Sequence, residues 1–202
     1  GAAVVVCQHI PDEVRGADCT FVVVEDTNVA MGAMASAFYG NPSHELKVVG
    51  VTGTNGKTSV TYMIKSILEH NGEKVGLIGT IQNMIGDLEI PAKNTTPEAY
   101  ELHGLFRKMV DAGCEYCIME VSSHALDQKR VNGLHFAVAG LTNISQDHLD
   151  YHITMDNYLE AKKKLFEMCK TAIINSDDEY AGRVIEDLGC EVITYSTKND
   201  ST

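Results

Sequence analysis

Hydrophobic positions along the chain switch repeatedly between short continuous apolar runs and helical spacing. Val48-Val49-Gly50-Val51 has the continuous apolar character of a buried strand and runs into a glycine-rich turn. After the turn, Val60, Met63, Ile64, Ile67 and Leu68 recur at helical intervals until Asn71-Gly72 supplies a stop. The same alternation predicts strands over 74–78, 116–121, 136–141, 172–175 and 191–195, and helices over 97–112, 155–168 and 179–188. Residues 81–85 and 88–90 read as a hairpin around Gly86-Asp87, and Pro97 falls in the first turn of its helix. Upstream, 3–6 and 20–24 read as strands and 29–38 as a helix that stops at Tyr39-Gly40-Asn41-Pro42. This β-α-β order predicts an α/β fold, a mostly parallel sheet with flanking helices and its chemistry at the carboxyl ends of strands. The segment 41–45 reads as a linker, which divides the chain into units 1–46 and 47–202.

Composition narrows the partners. An apolar share of 44% over 202 residues suits a globular core, and a net charge of −12 argues against a nucleic-acid partner. No run approaches the ~18 apolar residues of a membrane span, and the N-terminus lacks a basic flank, so a cytoplasmic protein without a membrane partner is expected. The six cysteines offer no pair of C-x-x-C units, and buried reduced thiols are the expectation.

The turn after the first long strand, Gly53-Thr54-Asn55-Gly56-Lys57-Thr58-Ser59, has the parts of a P-loop. Glycines permit close backbone approach to phosphate, a helix N-terminus follows, Lys57 can reach the β- and γ-phosphates of ATP, and Thr58 can face a Mg²⁺ ion. The common G-x-x-x-x-G-K-[ST] spacing is broken, because Val51 stands where it would place a glycine and Gly53 comes later.

Glu120 closes an apolar strand and is expected near that metal. The polar segment 143–152 follows the next strand; there His148 is a candidate to touch a metal or orient water, while Asp147 and Asp150 suit a cap as well as a functional role. Lys162, Lys163 and Lys164 lie at 100° intervals on a helix, so composition alone leaves all three as a solvated face. Thr96 before Pro97 is explained as a plain helix cap, with Thr95 the one local hint of binding.

The set Gly53 to Thr58, Asn94-Thr95-Thr96-Pro97, Glu120-Val121-Ser122-Ser123-His124 and Asp147-His148-Leu149-Asp150-Tyr151-His152 resembles, in that order, the Mur ligases of peptidoglycan synthesis. It is most similar to the UDP-N-acetylmuramoyl-tripeptide synthetase branch. The resemblance implies an acid–amino-acid ligase that converts ATP to ADP and phosphate. Its reaction adds lysine or meso-diaminopimelate to UDP-N-acetylmuramoyl-L-alanyl-D-glutamate through an acyl phosphate. By position, Gly53 to Ser59 would hold ATP, and Thr58, Glu120, His148 and Lys162 would form the metal shells. The family pattern Tyr-x-x-Ala-Lys falls on Tyr158 and Lys162, which would make Lys162 the lysine carrying a carbamate. Lys57, Lys162 and His148 would be the catalytic set. Thr95, Thr96, Ser122, Gln128 and Arg130 would hold the UDP-muramoyl-dipeptide.

The family has three domains. The resemblance places 1–46 at the end of the UDP-binding N-terminal domain and 47–202 at the start of the ATP-binding central domain, without the C-terminal domain. An exposed sheet edge or apolar patch is then expected. Two alternatives stand beside the ligase: an ATP-binding fragment without turnover, and a folylpolyglutamate synthetase-like ligase.

Overall fold

The computed structural model describes residues 1–14, 16 and 18–198; the last four residues of the predicted second unit lie outside the described residues. A small parallel pair comes first, β1 (Val4–Cys7) against β2 (Thr20–Val23), followed by α1 (Thr27–Phe38). Asp26 caps α1, its carboxylate accepting from the N–H groups of Asn28 and Val29.

The remaining strands form one eight-stranded sheet. In chain order they are β3 (Lys47–Thr52), β4 (Val75–Ile78), β5 (Gln82–Ile85), β6 (Leu88–Pro91), β7 (Tyr116–Glu120), β8 (Phe136–Leu141), β9 (Cys169–Asn175) and β10 (Glu191–Tyr195). Their spatial order is β10-β9-β8-β3-β7-β4-β5-β6. The five pairings from β10 to β4 are parallel, and the hairpin β5-β6 adds antiparallel pairings beyond β4. β3 is central, with Val48 and Val51 at most 1% exposed, so the turn that follows it opens at the middle of the sheet's carboxyl edge.

Helices α2 (Lys57–His70), α3 (Ala99–Asp111), α4 (Ser123–Asp127), α5 (Leu149–His152), α6 (Met155–Lys163) and α7 (Ala181–Ile185) join the strands. The main core gathers Phe106, Met119, Phe136, Tyr158, Leu165 and Ile174 on one face of the sheet. A smaller cluster of Val75, Leu77 and Ile118 packs against α2 on the other.

Several elements depart from the sequence expectation. In α2, Met63 and Ile67 are 63% and 62% exposed, whereas Thr61 and Lys65 are buried. Thr61 satisfies its hydroxyl on Thr58 O and Lys65 pairs with Glu69 at 2.6 Å, so polar side chains occupy the inner face without loss. The α2 side of β8 to β10 is left with an apolar cavity of about 290 Å³, lined by Val49, Val51, Val138, Ile173 and Tyr195 among others.

Helix α3 starts at Ala99 behind Glu98, two residues later than expected. Thr96 is not its cap: the hydroxyl donates to Glu120 O at 2.9 Å and accepts from Ser122 N–H at 3.1 Å, which ties the segment across to β7. The proline that follows also disfavours helical geometry at Thr96. Helix α6 stops at Lys163, and a 3₁₀ turn, Phe166–Met168, delivers β9 three residues earlier than expected. Helix α7 is reduced to five residues: Asp178 accepts from Tyr180 N–H at 2.9 Å on Oδ1 and from Ile144 N–H at 2.6 Å on Oδ2, and Asp187 lies at φ +63°. Of the cysteines only Cys114 and Cys117 are buried; the other four are half-buried, and all six are free.

Ile153, just after α5, is a β-branched residue at φ +70° and is 76% exposed. Left-handed geometry is costly for such a side chain, and this one gains no burial in return. Ile153→Gly is expected to raise stability by up to about 1 kcal/mol, seen as a higher urea midpoint at unchanged slope. A lower midpoint would show that the side chain contributes packing.

Candidate active site

The turn between β3 and α2 is latched to the segment after β8. Thr54 N–H donates to Asn143 O at 2.8 Å, Asn55 N–H donates to Asn143 Oδ1 at 3.0 Å, and Thr142 Oγ1 donates to Asn55 O at 2.7 Å. Gly53 is required there, since it lies at φ +141° and a Cβ would collide with Thr142 Oγ1. Gly56, at φ +84°, instead faces open space. The amides of Thr54 and Asn55 are thus engaged within the protein. The first-turn amides of α2, which have no intrahelical acceptor, are the ones left to face an anion.

Lys57 folds over this turn, its Nζ donating to Gly53 O and Thr54 O at 2.9 Å each. Burial lowers its pKa, while Glu120 and Asp147 oppose that shift. Thr58 Oγ1 donates to Glu120 Oε2 at 2.9 Å, and Glu120 is 1% exposed. Thr80, in the turn after β4, donates to the same carboxylate twice, from N–H to Oε1 at 2.8 Å and from Oγ1 to Oε2 at 3.1 Å. A buried carboxylate beside a threonine hydroxyl is an oxygen donor set that fits Mg²⁺. Among the described residues, no group of three His, Cys, Asp or Glu is placed to hold a metal.

Of the three adjacent lysines, Lys162 is 1% exposed and the other two are half-buried. Its Nζ donates to Gly53 O at 2.9 Å and sits 4.5 Å from the centre of the Tyr158 ring. Burial, then the neighbouring Lys57 charge, pulls its pKa down to about 7, with Asp147 opposing. The Tyr158 hydroxyl lies 3.1 Å from Thr54 Oγ1, so one buried tyrosine contacts both the turn and Lys162.

His148 takes a left-handed backbone at φ +52°, is half-exposed, and has Nε2 3.5 Å from Asp147 Oδ2. Its ring lies 4.7 Å from His124, which in turn lies 5.6 Å from His152. His152 is buried with Nε2 3.0 Å from Ser123 Oγ. Burial first, then neighbouring imidazoles, lowers the pKa of His124 and His152.

Thr95 Oγ1 lies 3.0 Å from Thr80 Oγ1, and Thr96 Oγ1 lies 3.5 Å from Ser122 Oγ. Arg130 reaches Thr96 O at 3.1 Å from Nη1 and Glu98 Oε1 at 3.0 Å from Nε, while its Nη2 holds Gln128 Oε1. Four segments far apart in sequence therefore meet at the carboxyl edge of β3, β4 and β7.

The family model for the Mur ligase middle domain matches residues 51–202. The chain belongs to the Mur ligase family. The UDP-N-acetylmuramoyl-L-alanyl-D-glutamate–2,6-diaminopimelate ligase 1 of Clostridium acetobutylicum is 53% identical over 195 residues, covering 96% of this chain and 40% of that relative. The ligase of the same name, without the number, from Caldanaerobacter subterraneus is 52% identical over 98% of this chain and 41% of its own length. A solved structure of a ligase so named superposes with a TM-score of 0.84 at 29% identity, over 99% of this chain and 41% of that one. The chain thus spans about 40% of the length of the Mur ligases it matches. A folylpolyglutamate synthase from Mycobacterium tuberculosis shares the fold at a TM-score of 0.65 and 17% identity.

Within this Mur ligase chain, Thr80 and Asn143 line the candidate site although sequence reasoning gave neither a role, and Tyr158 entered that reasoning only as part of the family pattern around Lys162. Asn143 was legible in principle as the first residue of a polar loop after a buried strand. Thr80 follows the glycine just after β4, and a Cβ on that Gly79 would meet Glu120 Oε1. That contact is long-range and leaves no local signal.

Proposed function

We propose that this chain is the nucleotide-binding part of an ATP-dependent amide ligase that adds the third amino acid to UDP-N-acetylmuramoyl-L-alanyl-D-glutamate. The observation that carries the reading is Lys162: a lysine with almost no exposure, held on the phosphate-loop carbonyl of Gly53 and brought to a pKa near 7. A neutral amine there can take up CO₂, forming an N–C bond and releasing a proton, and so present an anionic carbamate beside the metal site. The names of eight relatives specify 2,6-diaminopimelate, which we take as the incoming amino acid. A step that consumes ATP and a UDP-sugar belongs in the cytoplasm.

In this reading residues 1–46 close the uridine-nucleotide domain and 47–202 open the ATP domain. The P-loop, Gly53 to Ser59, receives the ATP phosphates, with Lys57 released from its carbonyl partners to meet them. Thr58, Glu120, His148 and the Lys162 carbamate would hold Mg²⁺, which supplies charge neutralisation on the transferring phosphoryl group. Thr95, Thr96, Ser122, Gln128 and Arg130 orient the dipeptide so that its terminal carboxylate attacks the γ-phosphate. The resulting acyl phosphate loses phosphate to the incoming amine. The protein contributes position and electrostatics and forms no covalent bond to substrate.

Phosphate release from this chain, measured with the UDP-muramoyl-dipeptide plus diaminopimelate or lysine, tests the proposal, with Lys57→Ala as the background control. Release that needs both the dipeptide and diaminopimelate is expected. ATP turnover indifferent to the dipeptide would overturn it. Because the chain spans about 40% of its relatives' length, a second reading is a nucleotide-binding part without turnover. Retained ATP binding with no substrate-dependent release would leave that reading standing.

A further inference from the structure

Threonine hydroxyls join the metal side of the site to the dipeptide side in one connected chain. Thr58 Oγ1 donates to Glu120 Oε2, Thr80 Oγ1 donates to the same oxygen, and Thr80 Oγ1 lies 3.0 Å from Thr95 Oγ1. Each hydroxyl carries one proton, so the direction of donation along the chain is constrained. With Thr80 donating to Glu120, the contact between the two threonines is made by the Thr95 proton, and Thr95 then has only lone pairs to offer elsewhere.

We propose that Thr80 is a positioning residue whose hydroxyl couples cation binding at Glu120 to anion binding at Thr95. The inference rests on the ligase reading above. Once a divalent cation engages Glu120 Oε2, the Thr80 proton is free to turn to the Thr95 oxygen. The Thr95 proton is then free to point at an incoming carboxylate. The first arrangement presents lone pairs to an anion and the second presents a donor, so the two ligands favour the same proton order. Throughout, the Thr80 N–H remains on Glu120 Oε1 at 2.8 Å and keeps the carboxylate in place. Because the coupling is thermodynamic, it must appear in both directions.

Calorimetric titration of the UDP-muramoyl-dipeptide into this chain, with and without saturating Mg²⁺ and a non-hydrolysable ATP analogue, measures the coupling. In the wild type the Mg-nucleotide is expected to tighten dipeptide binding on the order of tenfold, a gain comparable to one charge-assisted hydrogen bond. Thr80→Val, which keeps the shape and the backbone N–H, is expected to reduce that gain to about twofold. Thr80→Ala should behave like valine, and Thr80→Ser should retain the gain. A wild-type gain preserved in the valine and alanine variants would overturn the inference, as would a serine variant that loses it. A wild type that binds neither the Mg-nucleotide nor the dipeptide would instead overturn the ligase reading.

Discussion

Lys162→Met is expected to make the protein more stable and, in the ligase reading, to remove substrate-dependent phosphate release. The ammonium of Lys162 is buried against Gly53 O and beside Lys57, and burial together with that like charge brings its pKa from 10.5 to about 7. The folded state therefore binds this proton less tightly than the unfolded chain does. The penalty is largest at and below pH 7, shrinks as pH rises from about 7 towards 10.5, and is absent above that. Methionine fills similar space without charge, and the variant should gain roughly 2–4 kcal/mol at neutral pH after loss of the hydrogen bond and the ring contact is counted. Its stability should also lose the rise between pH 7 and 10.5. Substrate-dependent phosphate release, by contrast, should fall by about 10²–10³, the usual cost of removing a preorganised electrostatic group. Guanidinium melts across pH and single-turnover assays check the two halves separately. A destabilised variant would show that the lysine serves the fold.

Loss of stability in mild acid should be relieved by His103→Leu. His103 lies on the inner face of α3, fully buried, near the edge of Phe106, and neither ring nitrogen has a hydrogen-bond partner among the described residues. Burial alone pushes its pKa from 6.5 to about 4. The unfolded chain takes up the proton first, so the protein loses stability as pH falls below 6.5, and the loss is complete below about 4. The full effect is about 3 kcal/mol for a shift of this size. Leucine has no such proton to bind, so the variant should lose correspondingly less on going from pH 7 to pH 4. Equal acid sensitivity in both proteins would place the cause elsewhere.

Much of the framework could be read from the chain because it depends on local pattern. The strands Phe136–Leu141 and Glu191–Tyr195 coincide with their apolar runs, and the glycine turn stands where strand gives way to helix. What failed was set by contacts across the sheet. Thr96 satisfies every local rule for a cap, yet its hydroxyl is spent on Glu120 O and Ser122 N–H. Met63 and Ile67 keep helical spacing but face outward, while Ile64 and Leu68 of the same set pack on Val75, Leu77 and Ile118, and Thr61 and Lys65 are buried with partners on their own helix. Among residues 162–164, composition offers no choice, and only the family resemblance singled out the lysine that proves buried. Thr80 had no signal at all, since its partners Glu120 and Thr95 lie 40 and 15 residues away.

The contact of Lys162 with Gly53 spans 109 residues, and that of Tyr158 with Thr54 spans 104. Contacts that distant in sequence carry a large loop-closure cost and slow folding. On a ribosome, residues 53–58 are synthesised long before the lysine and tyrosine that complete their surroundings. A nascent chain therefore acquires the buried half of this site only once α6 has emerged and docked, at a point where β9 and β10, which follow α6 in the chain, are still to be added to the sheet.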